Sequence, residues 1–247
     1  MAFRPDWCLA TLLGMTCGAA AQDCRLALVL ALDVSASVDS REDGLQREGL
    51  ARALLAPEVV RSFLAGDPVA LYAFEWSGPS SQADISRGWR LIESERDLAA
   101  VASAVVASHQ GRSDHLYRST AVGSALSHAG TALEAGPSCR ARTVDVSGDG
   151  ISNQGDPPER IYDSHLLDGV TVNALLIGGA QTSSGLLTEA ADRYLVAWFE
   201  SEVLHGPGAF WMLADDYEDY ERAMRAKLLR ELDTSAVSGW PLVEDGE

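Results

Sequence analysis

Hydrophobic residues fall into short unbroken runs that alternate with longer amphipathic stretches along the chain. The first run extends from Leu26 to Leu32 and contains no charged residue. An apolar run of this length, rich in Val and Leu, is typical of a strand that is buried on both faces of a parallel sheet. Further strands are predicted at residues 69–76, 88–92, 143–146, 170–177 and 210–213. Residues 88–92 follow 69–76 closely enough to form an antiparallel edge hairpin with them.

Amphipathic segments between these runs predict helices. Pro57 ends the first helix and starts a short second one. Helices are predicted at residues 45–54, 57–66, 95–108, 121–133 and 186–199, with two more starting at Pro157 and at Asp215. Strands and helices that alternate in this way indicate a doubly wound α/β sheet, mostly parallel and covered by helices on both faces.

Asp33 stands at the carboxyl end of the first predicted strand, and ligands bind at this edge of an open α/β sheet. Ser35 and Ser37 follow at alternate positions, so in an extended segment the three side chains point the same way. Three oxygen groups of this kind suit a hard divalent cation, Mg²⁺ in particular, and offer nothing to a soft metal. In the alternative interpretation, Ser37 or Asp39 caps a helix whose first turn contains acidic residues.

Two more oxygen-bearing residues stand at the ends of predicted elements. Asp149 follows the strand at 143–146, within Ser147-Gly148-Asp149-Gly150, and Thr120 opens the helix at 121–133. If the strand order of the sheet reverses between the strands that carry Asp33 and Asp149, the two carboxylates face each other at the switch point. Taken singly, Thr120 is also explained as a helix N-cap and Asp149 as a turn residue.

Together these residues resemble the metal-ion-dependent adhesion site of the von Willebrand factor A (VWA) domain. That site combines a D-x-S-x-S strand end, a loop threonine before a helix, and an aspartate followed by glycine. The matching positions are Asp33-Val34-Ser35-Ala36-Ser37, Thr120 and Asp149-Gly150. The resemblance covers about residues 25–232, and segments 144–150 and 206–210 are similar to a bacterial exported branch of the family, whose function is not established.

The resemblance implies a six-stranded sheet in the order 3-2-1-4-5-6, with only the third strand antiparallel. It also implies one Mg²⁺, or Mn²⁺ or Ca²⁺ as in some members. Ser35, Ser37 and Thr120 would hold the ion, with Asp33 and Asp149 bound directly or through water. A Glu or Asp carboxylate of a protein partner typically fills the open coordination position. Because a bound ion dominates the local field, such a carboxylate would be attracted even to an acidic protein.

Composition agrees with one sizeable acidic domain. The chain has 247 residues, 47% of them hydrophobic, which is enough for a substantial core. Its formal net charge of −17 argues against nucleic acid and anionic lipid as partners and favours cations or basic proteins. A surface that promotes solubility is the simpler explanation of the same charge. The sequence does not indicate an oligomeric state.

The two ends of the chain are predicted to lie outside the domain. Residues 1–21 combine Arg4, an apolar stretch and Ala19-Ala20-Ala21, as in a secretory signal peptide that is cleaved before Gln22. A membrane anchor is the alternative, but the apolar stretch is short for a bilayer, and no later segment approaches the length of a membrane helix. We therefore expect a secreted or periplasmic protein with a VWA-like domain at 22–233 and a mobile tail at 234–247.

Removal of the signal peptide would leave only two cysteines, Cys24 and Cys139. Each lies just ahead of a predicted strand, at 26–32 and at 143–146. If these strands are parallel neighbours, as the resemblance implies, a disulfide between them is reasonable in an oxidising compartment. Two unrelated buried thiols are the alternative.

Two other classes of function remain open beside a non-enzymatic binding module. A metal-dependent hydrolase of phosphate or ester substrates would use Asp33 as nucleophile or the cation as Lewis acid. No second Asp stands two residues after Asp33, however, and neither a phosphate-binding loop nor a G-x-S-x-G segment occurs. If an enzyme is hidden here, His109, Asp114 and His115 are the candidates. The third class is a structural domain with a vestigial metal site.

Overall fold

The computed structural model describes residues 24–108, 119–179 and 188–237. The proposed signal peptide and the loop residues His109, Asp114 and His115 lie outside these ranges. Most of the proposed tail does so as well, although the last helix continues to Val237, beyond the predicted domain boundary at residue 233. The expectations for cleavage and for a mobile tail therefore stay predictions.

The described part of the chain contains one mostly parallel sheet of seven strands. They are β1 (Cys24–Asp33), β2 (Val69–Trp76), β3 (Gln82–Asp84), β4 (Arg90–Ile92), β5 (Cys139–Gly148), β6 (Thr171–Ile177) and β7 (Trp211–Ala214). Their order is β3-β2-β1-β5-β6-β7, with β4 also paired to β2. All pairs are parallel except those that β3 and β4 form with β2. The predicted fold class, strand order and antiparallel edge are confirmed.

The edge strand predicted at residues 88–92 corresponds to β4, and a short strand that was not predicted, β3, precedes it, which is why the sheet has seven strands and not six. A turn between them brings the backbone of Arg87 to a φ of 57° and that of Gly88 to 97°. The Asp84 carboxylate accepts hydrogen bonds from both backbone N–H groups, each at 2.7 Å. Backbone in this left-handed region cannot continue a ladder, so β3 ends and β4 begins afresh.

Seven helices lie in the described ranges. They are α1 (Ser40–Leu54), α2 (Pro57–Phe63), α3 (Glu95–Ala107), α4 (Val122–Glu134), α5 (Pro158–Asp163), α6 (Thr188–Glu202) and α7 (Tyr220–Val237). None of those described is both long enough and apolar enough to cross a membrane.

Alternate residues of β1 enter two separate hydrophobic cores. Leu28 and its like-facing neighbours pack with residues of α1, α2, α3 and α7. Val29 and its neighbours pack with residues of α4, α5 and α6 on the other face. Because successive strand side chains point to opposite faces, a strand with a core on each side needs apolar residues at every position. This explains the uninterrupted apolar run from Leu26 to Leu32. The β1 strand lies inside the sheet, between β2 and β5.

Cys24 and Cys139 form the predicted disulfide. They stand directly opposite each other in the β1–β5 register, with their Cα atoms 4.7 Å apart. The sequence had placed each cysteine just ahead of a strand. In the structure, each is the first residue of its strand. The β5 strand starts at Cys139, before its apolar part, and Arg140 near this start is exposed. Because polar residues occupy its beginning, the hydrophobicity pattern did not indicate that part of the strand.

Candidate metal site

The chain leaves the sheet after Asp33 and enters α1 at a cap formed by Asp39. The Asp39 carboxylate accepts hydrogen bonds from the backbone N–H groups of Arg41 (2.7 Å) and Glu42 (2.8 Å). In return, the Glu42 carboxylate accepts the backbone N–H of Asp39 at 2.8 Å, which completes a capping box. Of the two residues considered for this cap, Asp39 is the one used. The Ser37 side chain is therefore available for another role.

Hydrogen bonds connect four of the five predicted ligands in a chain. The backbone N–H of Ser35 donates to Asp33 Oδ1 at 2.7 Å, and the hydroxyls of Ser35 and Ser37 lie 3.1 Å apart. The Ser37 hydroxyl donates to Asp149 Oδ1 at 2.6 Å, across 112 residues of sequence. Asp33 and Asp149 thus belong to one polar cluster at the carboxyl edge of the sheet.

The local backbone differs from the extended segment that was predicted. The N–H of Val38 donates to the carbonyl of Ser35 at 3.1 Å, so residues 35–38 form a turn. It is this turn, rather than strand alternation, that brings the two serine hydroxyls together. At the other end of the segment, Gln46 donates its side-chain N–H to the Asp33 carbonyl at 2.9 Å and holds α1 against the end of β1.

Thr120 lies apart from this chain of hydrogen bonds. In the described part of the molecule, no hydrogen bond joins its hydroxyl to the other four residues. Its backbone N–H donates to the Asn153 side chain at 2.9 Å, and its carbonyl accepts the backbone N–H groups of Asn153 (2.9 Å) and Gln154 (3.2 Å). The loop that follows Asp149 therefore holds Thr120. Its explanation as a helix cap is wrong, because Ala121 is the N-cap of α4, and the side chain that accepts the N–H of Val122 at this end is that of Ser152, at 3.3 Å.

Tyr217 belongs to the site although it falls within the helix that was predicted to start at Asp215. It precedes α7, and its hydroxyl donates to Asp149 Oδ2 at 3.0 Å. Both oxygens of Asp149 thus have a hydroxyl donor, from Ser37 and from Tyr217. No local motif marks Tyr217, because the contact spans 68 residues of sequence.

Both carboxylates have pKa values above the ordinary range. Burial raises the pKa of Asp33 most, and the negative charge of Asp149 raises it further, against an opposing effect of the hydrogen bonds from Ser35. Burial also raises the pKa of Asp149, while its hydrogen bonds with Ser37 and Tyr217 lower it. Each ionised form is therefore unfavourable without a nearby positive charge.

The donor set fits a hard divalent cation. Asp33 is fully buried, and its Oδ2 has no hydrogen-bond partner, which is costly for a carboxylate unless something else compensates it. Serine and threonine hydroxyls with carboxylate oxygens are the ligands that Mg²⁺ prefers. Within the described ranges, no three His, Cys, Asp or Glu side chains are grouped as a metal site. A cation at this edge would have to rely on the hydroxyls.

A cleft of about 670 Å³ adjoins the cluster and shares Ser37, Asp149 and Tyr217 with it. Its other walls are formed by the start of α1, the segment before α7 and two glycines after β6. Acidic residues dominate these walls: Asp39, Glu42, Asp215, Asp216 and Glu218. The one basic residue of the lining, Arg41, is ion-paired with Glu218. The approach to the site is therefore negatively charged.

A family described as "Protein of unknown function (DUF1194)" matches residues 23–236 of the chain. The comparison with curated proteins gives no match.

Solved structures from several organisms share the fold. A von Willebrand factor type A protein from Catenulispora acidiphila is 16% identical, with a TM-score of 0.53 over 83% of this chain and 42% of that one. The pilus adhesin SpaC from Lactobacillus rhamnosus GG is 16% identical, with a TM-score of 0.58 over 85% and 30%. Proximal thread matrix protein 1 from the mussel byssus, with a zinc-occupied MIDAS motif, is 16% identical, with a TM-score of 0.50 over 85% and 48%. The chain spans less than half the length of each, and such identities show the fold alone.

Proposed function

Since this chain belongs to the DUF1194 family and has the VWA-like fold, we propose that it is an exported protein-binding module that works through a divalent cation. Asp33, Ser35, Ser37, Thr120 and Asp149 would hold the cation, Mg²⁺ in the first place. An acidic side chain of a protein partner would complete the coordination. The cation supplies the positive charge that attracts this group, and the residues of the chain orient it.

One observation carries the proposal. A fully buried carboxylate, Asp33, leaves Oδ2 without a hydrogen-bond partner at the end of the central strand. The same residue begins the chain of hydrogen bonds that runs through Ser35 and Ser37 to Asp149. A fully buried carboxylate close to a second, partly exposed one is poorly compensated by hydrogen bonds alone. A divalent cation would compensate them.

Because the cleft is acidic, a partner with an acidic side chain would need the cation in order to bind there. Asp215, Asp216 and Glu218 line the approach together with residues of α1. Without the ion, a Glu or Asp of a partner would meet a mostly acidic surface, since the basic residue in the lining, Arg41, is paired with Glu218. With it, the ion's field dominates at short range. Binding of an acidic partner should therefore depend strictly on the cation.

Export and a non-catalytic role complete the proposal. The Cys24–Cys139 disulfide is of a kind that persists in oxidising compartments such as the periplasm. This supports the secretory interpretation of residues 1–21. Among the structures with a similar fold are a pilus adhesin and a matrix protein, which favours binding over catalysis.

The test has a cation arm and a partner arm. Calorimetry should detect Mg²⁺ binding to the wild-type protein and none to Asp149→Ala. Immobilised wild-type protein should then capture a protein from periplasmic extract in Mg²⁺ and release it on addition of a chelator. A peptide with a single Glu should compete, and its Gln counterpart should not. Capture that ignores the chelator contradicts the proposal, and turnover in a phosphatase and esterase screen that is lost in Asp149→Ala would favour the hydrolase.

A further inference from the structure

The two oxygens of Asp149 are held from opposite sides by two hydroxyl groups. Ser37 donates to Oδ1 at 2.6 Å and Tyr217 donates to Oδ2 at 3.0 Å. Ser37 belongs to the proposed ligand set and comes from the β1–α1 segment. Tyr217 comes from the segment between β7 and α7, on the side of the acidic cleft. The carboxylate of Asp149 is therefore fixed in one orientation.

Tyr217 is well suited to hold that orientation. Its side chain is 6% exposed and packs in the hydrophobic core between the sheet and helices α1 and α7. A ring that is fixed by packing has little freedom to move its hydroxyl. A tyrosine hydroxyl ordinarily carries its proton at neutral pH, so Tyr217 can act as the donor to Asp149.

The orientation limits how Asp149 can meet a cation. Oδ1 is the oxygen shared with Ser37 and hence the one beside the proposed site. Oδ2 is drawn towards Tyr217. The hydrogen bond from Tyr217 occupies one lone pair of Oδ2 and restrains rotation of the carboxylate. While it persists, contact through Oδ1 is favoured over contact through both oxygens, either directly or through water.

Cations differ in what they require of a carboxylate. Mg²⁺ takes near-octahedral coordination by single oxygens and usually retains water molecules. Ca²⁺ takes six to eight oxygens in flexible geometry and commonly uses both oxygens of a carboxylate. A site that restrains Asp149 against contact through both oxygens thus disfavours Ca²⁺.

We propose that Tyr217 is a positioning residue that sets the cation preference of the site, favouring Mg²⁺ over Ca²⁺ by restraining Asp149. The proposal rests on the function proposed above, because it requires a cation at the same residues. It adds a residue outside the proposed ligand set that controls which ion the site prefers.

Tyr217→Phe and Tyr220→Phe form a matched pair for the test. Each change removes one buried hydroxyl and little volume. The Tyr220 hydroxyl lies 2.9 Å from that of Ser147, which is not among the proposed ligands. A loss of stability alone should therefore be shared by both variants. A change in cation preference should be confined to Tyr217→Phe.

The measurement is the dissociation constant of Mg²⁺ and of Ca²⁺ by calorimetry on wild type and both variants, after melts in chelator confirm folding. We expect the ratio of the Ca²⁺ to the Mg²⁺ constant to fall about 10-fold in Tyr217→Phe, as for changes of residues that orient a metal ligand. Tyr220→Phe should keep the wild-type ratio. An unchanged ratio in Tyr217→Phe, or an equal fall in Tyr220→Phe, overturns this inference alone. If the wild-type protein binds neither ion, the proposed function fails with it.

Discussion

Lys227 of α7 and Asp145 of β5 form an ion pair 2.7 Å long, and neither side chain is exposed to solvent. Glu231 of α7 accepts from the same ammonium group at 2.6 Å. One buried lysine is thus paired with two buried carboxylates. Burial raises the pKa of Asp145 to about 7, Lys227 opposes this shift, and Glu231 adds to it.

The same pair connects the two segments that resemble an exported branch of the VWA family. Asp145 belongs to segment 144–150, and Phe210 to segment 206–210. The Phe210 ring lies 5.4 Å from the Lys227 ammonium group. The Phe210 backbone N–H donates to Asn173 of β6 at 3.0 Å, and Asn173 donates to Glu231 at 2.9 Å. Both segments therefore contribute to one buried network of polar residues between the sheet and α7.

Stability should depend on pH through Asp145. Its pKa is about 7 in the folded protein and near the ordinary 3.8 when unfolded. Between these values the folded state binds more protons, so the free energy of unfolding falls as pH rises from about 4 to about 7. We expect Asp145→Asn to flatten this decline. Urea denaturation of both proteins in chelator across this range measures it, and equal slopes would contradict the assignment.

Magnesium should stabilise the folded protein, because a ligand that binds only the native state shifts the unfolding equilibrium. The expected gain is about 2.7 kcal/mol at 100 times the dissociation constant. Thr120→Ala should reduce that gain and leave the metal-free stability nearly unchanged, since its hydroxyl does not cap α4. Thermal melts with a Mg²⁺ titration and a chelator control measure both. A wild-type melting temperature that is independent of Mg²⁺ would refute the site.

Asp33→Asn should separate charge from shape. Asn is close in size and keeps an acceptor for the Ser35 N–H, but it removes a buried charge that the negative charge of Asp149 makes less favourable. We expect higher metal-free stability at neutral pH and no response to Mg²⁺. The same melts test this, and an unaltered Mg²⁺ response would exclude Asp33 as a ligand.

Gly148→Ala should displace the Asp33 carboxylate and so weaken cation binding. A Cβ on Gly148 would lie 3.3 Å from Asp33 Oδ2, so the carboxylate would have to move by a few tenths of an ångström. Gly150→Ala is the matched control, because a Cβ there meets no atom within 4 Å. Calorimetry should show weaker Mg²⁺ binding in Gly148→Ala only. Equal affinities in the two variants would mean that Asp33 does not approach the cation from this side.

The disulfide should make a measurable contribution to stability. It closes a loop with a sequence separation of 115 residues, and the loss of unfolded-state entropy for such a loop corresponds to about 3–5 kcal/mol. A variant with serine at both Cys24 and Cys139 should be destabilised by this amount in urea denaturation. Two free thiols found by mass spectrometry of the exported protein would show that the bond does not form in the cell.

The sequence predicted the central architecture because β1, β2 and β6 each have a core on both faces, which leaves apolar runs along the chain. It predicted four residues of the site that the fold brings together, since each stands at the end of an element. Tyr217 could not be found in this way. Its hydroxyl reaches Asp149 through packing between distant segments, and spacing along the chain carries no trace of such a contact. The ion pair of Lys227 with Asp145 escaped for the same reason.

The position of the disulfide determines how the domain would respond to force applied at the candidate metal site. It joins β1 and β5 at their amino ends, while Asp33 and Asp149 stand at or just beyond the carboxyl ends of the same strands. Tension applied through a partner at those residues would run along both strands towards a covalent bond. Because the two strands are parallel, both would be loaded in the same direction, and the disulfide would keep their amino ends together. The pair would act as a single mechanical tie from the binding edge to the opposite side of the domain.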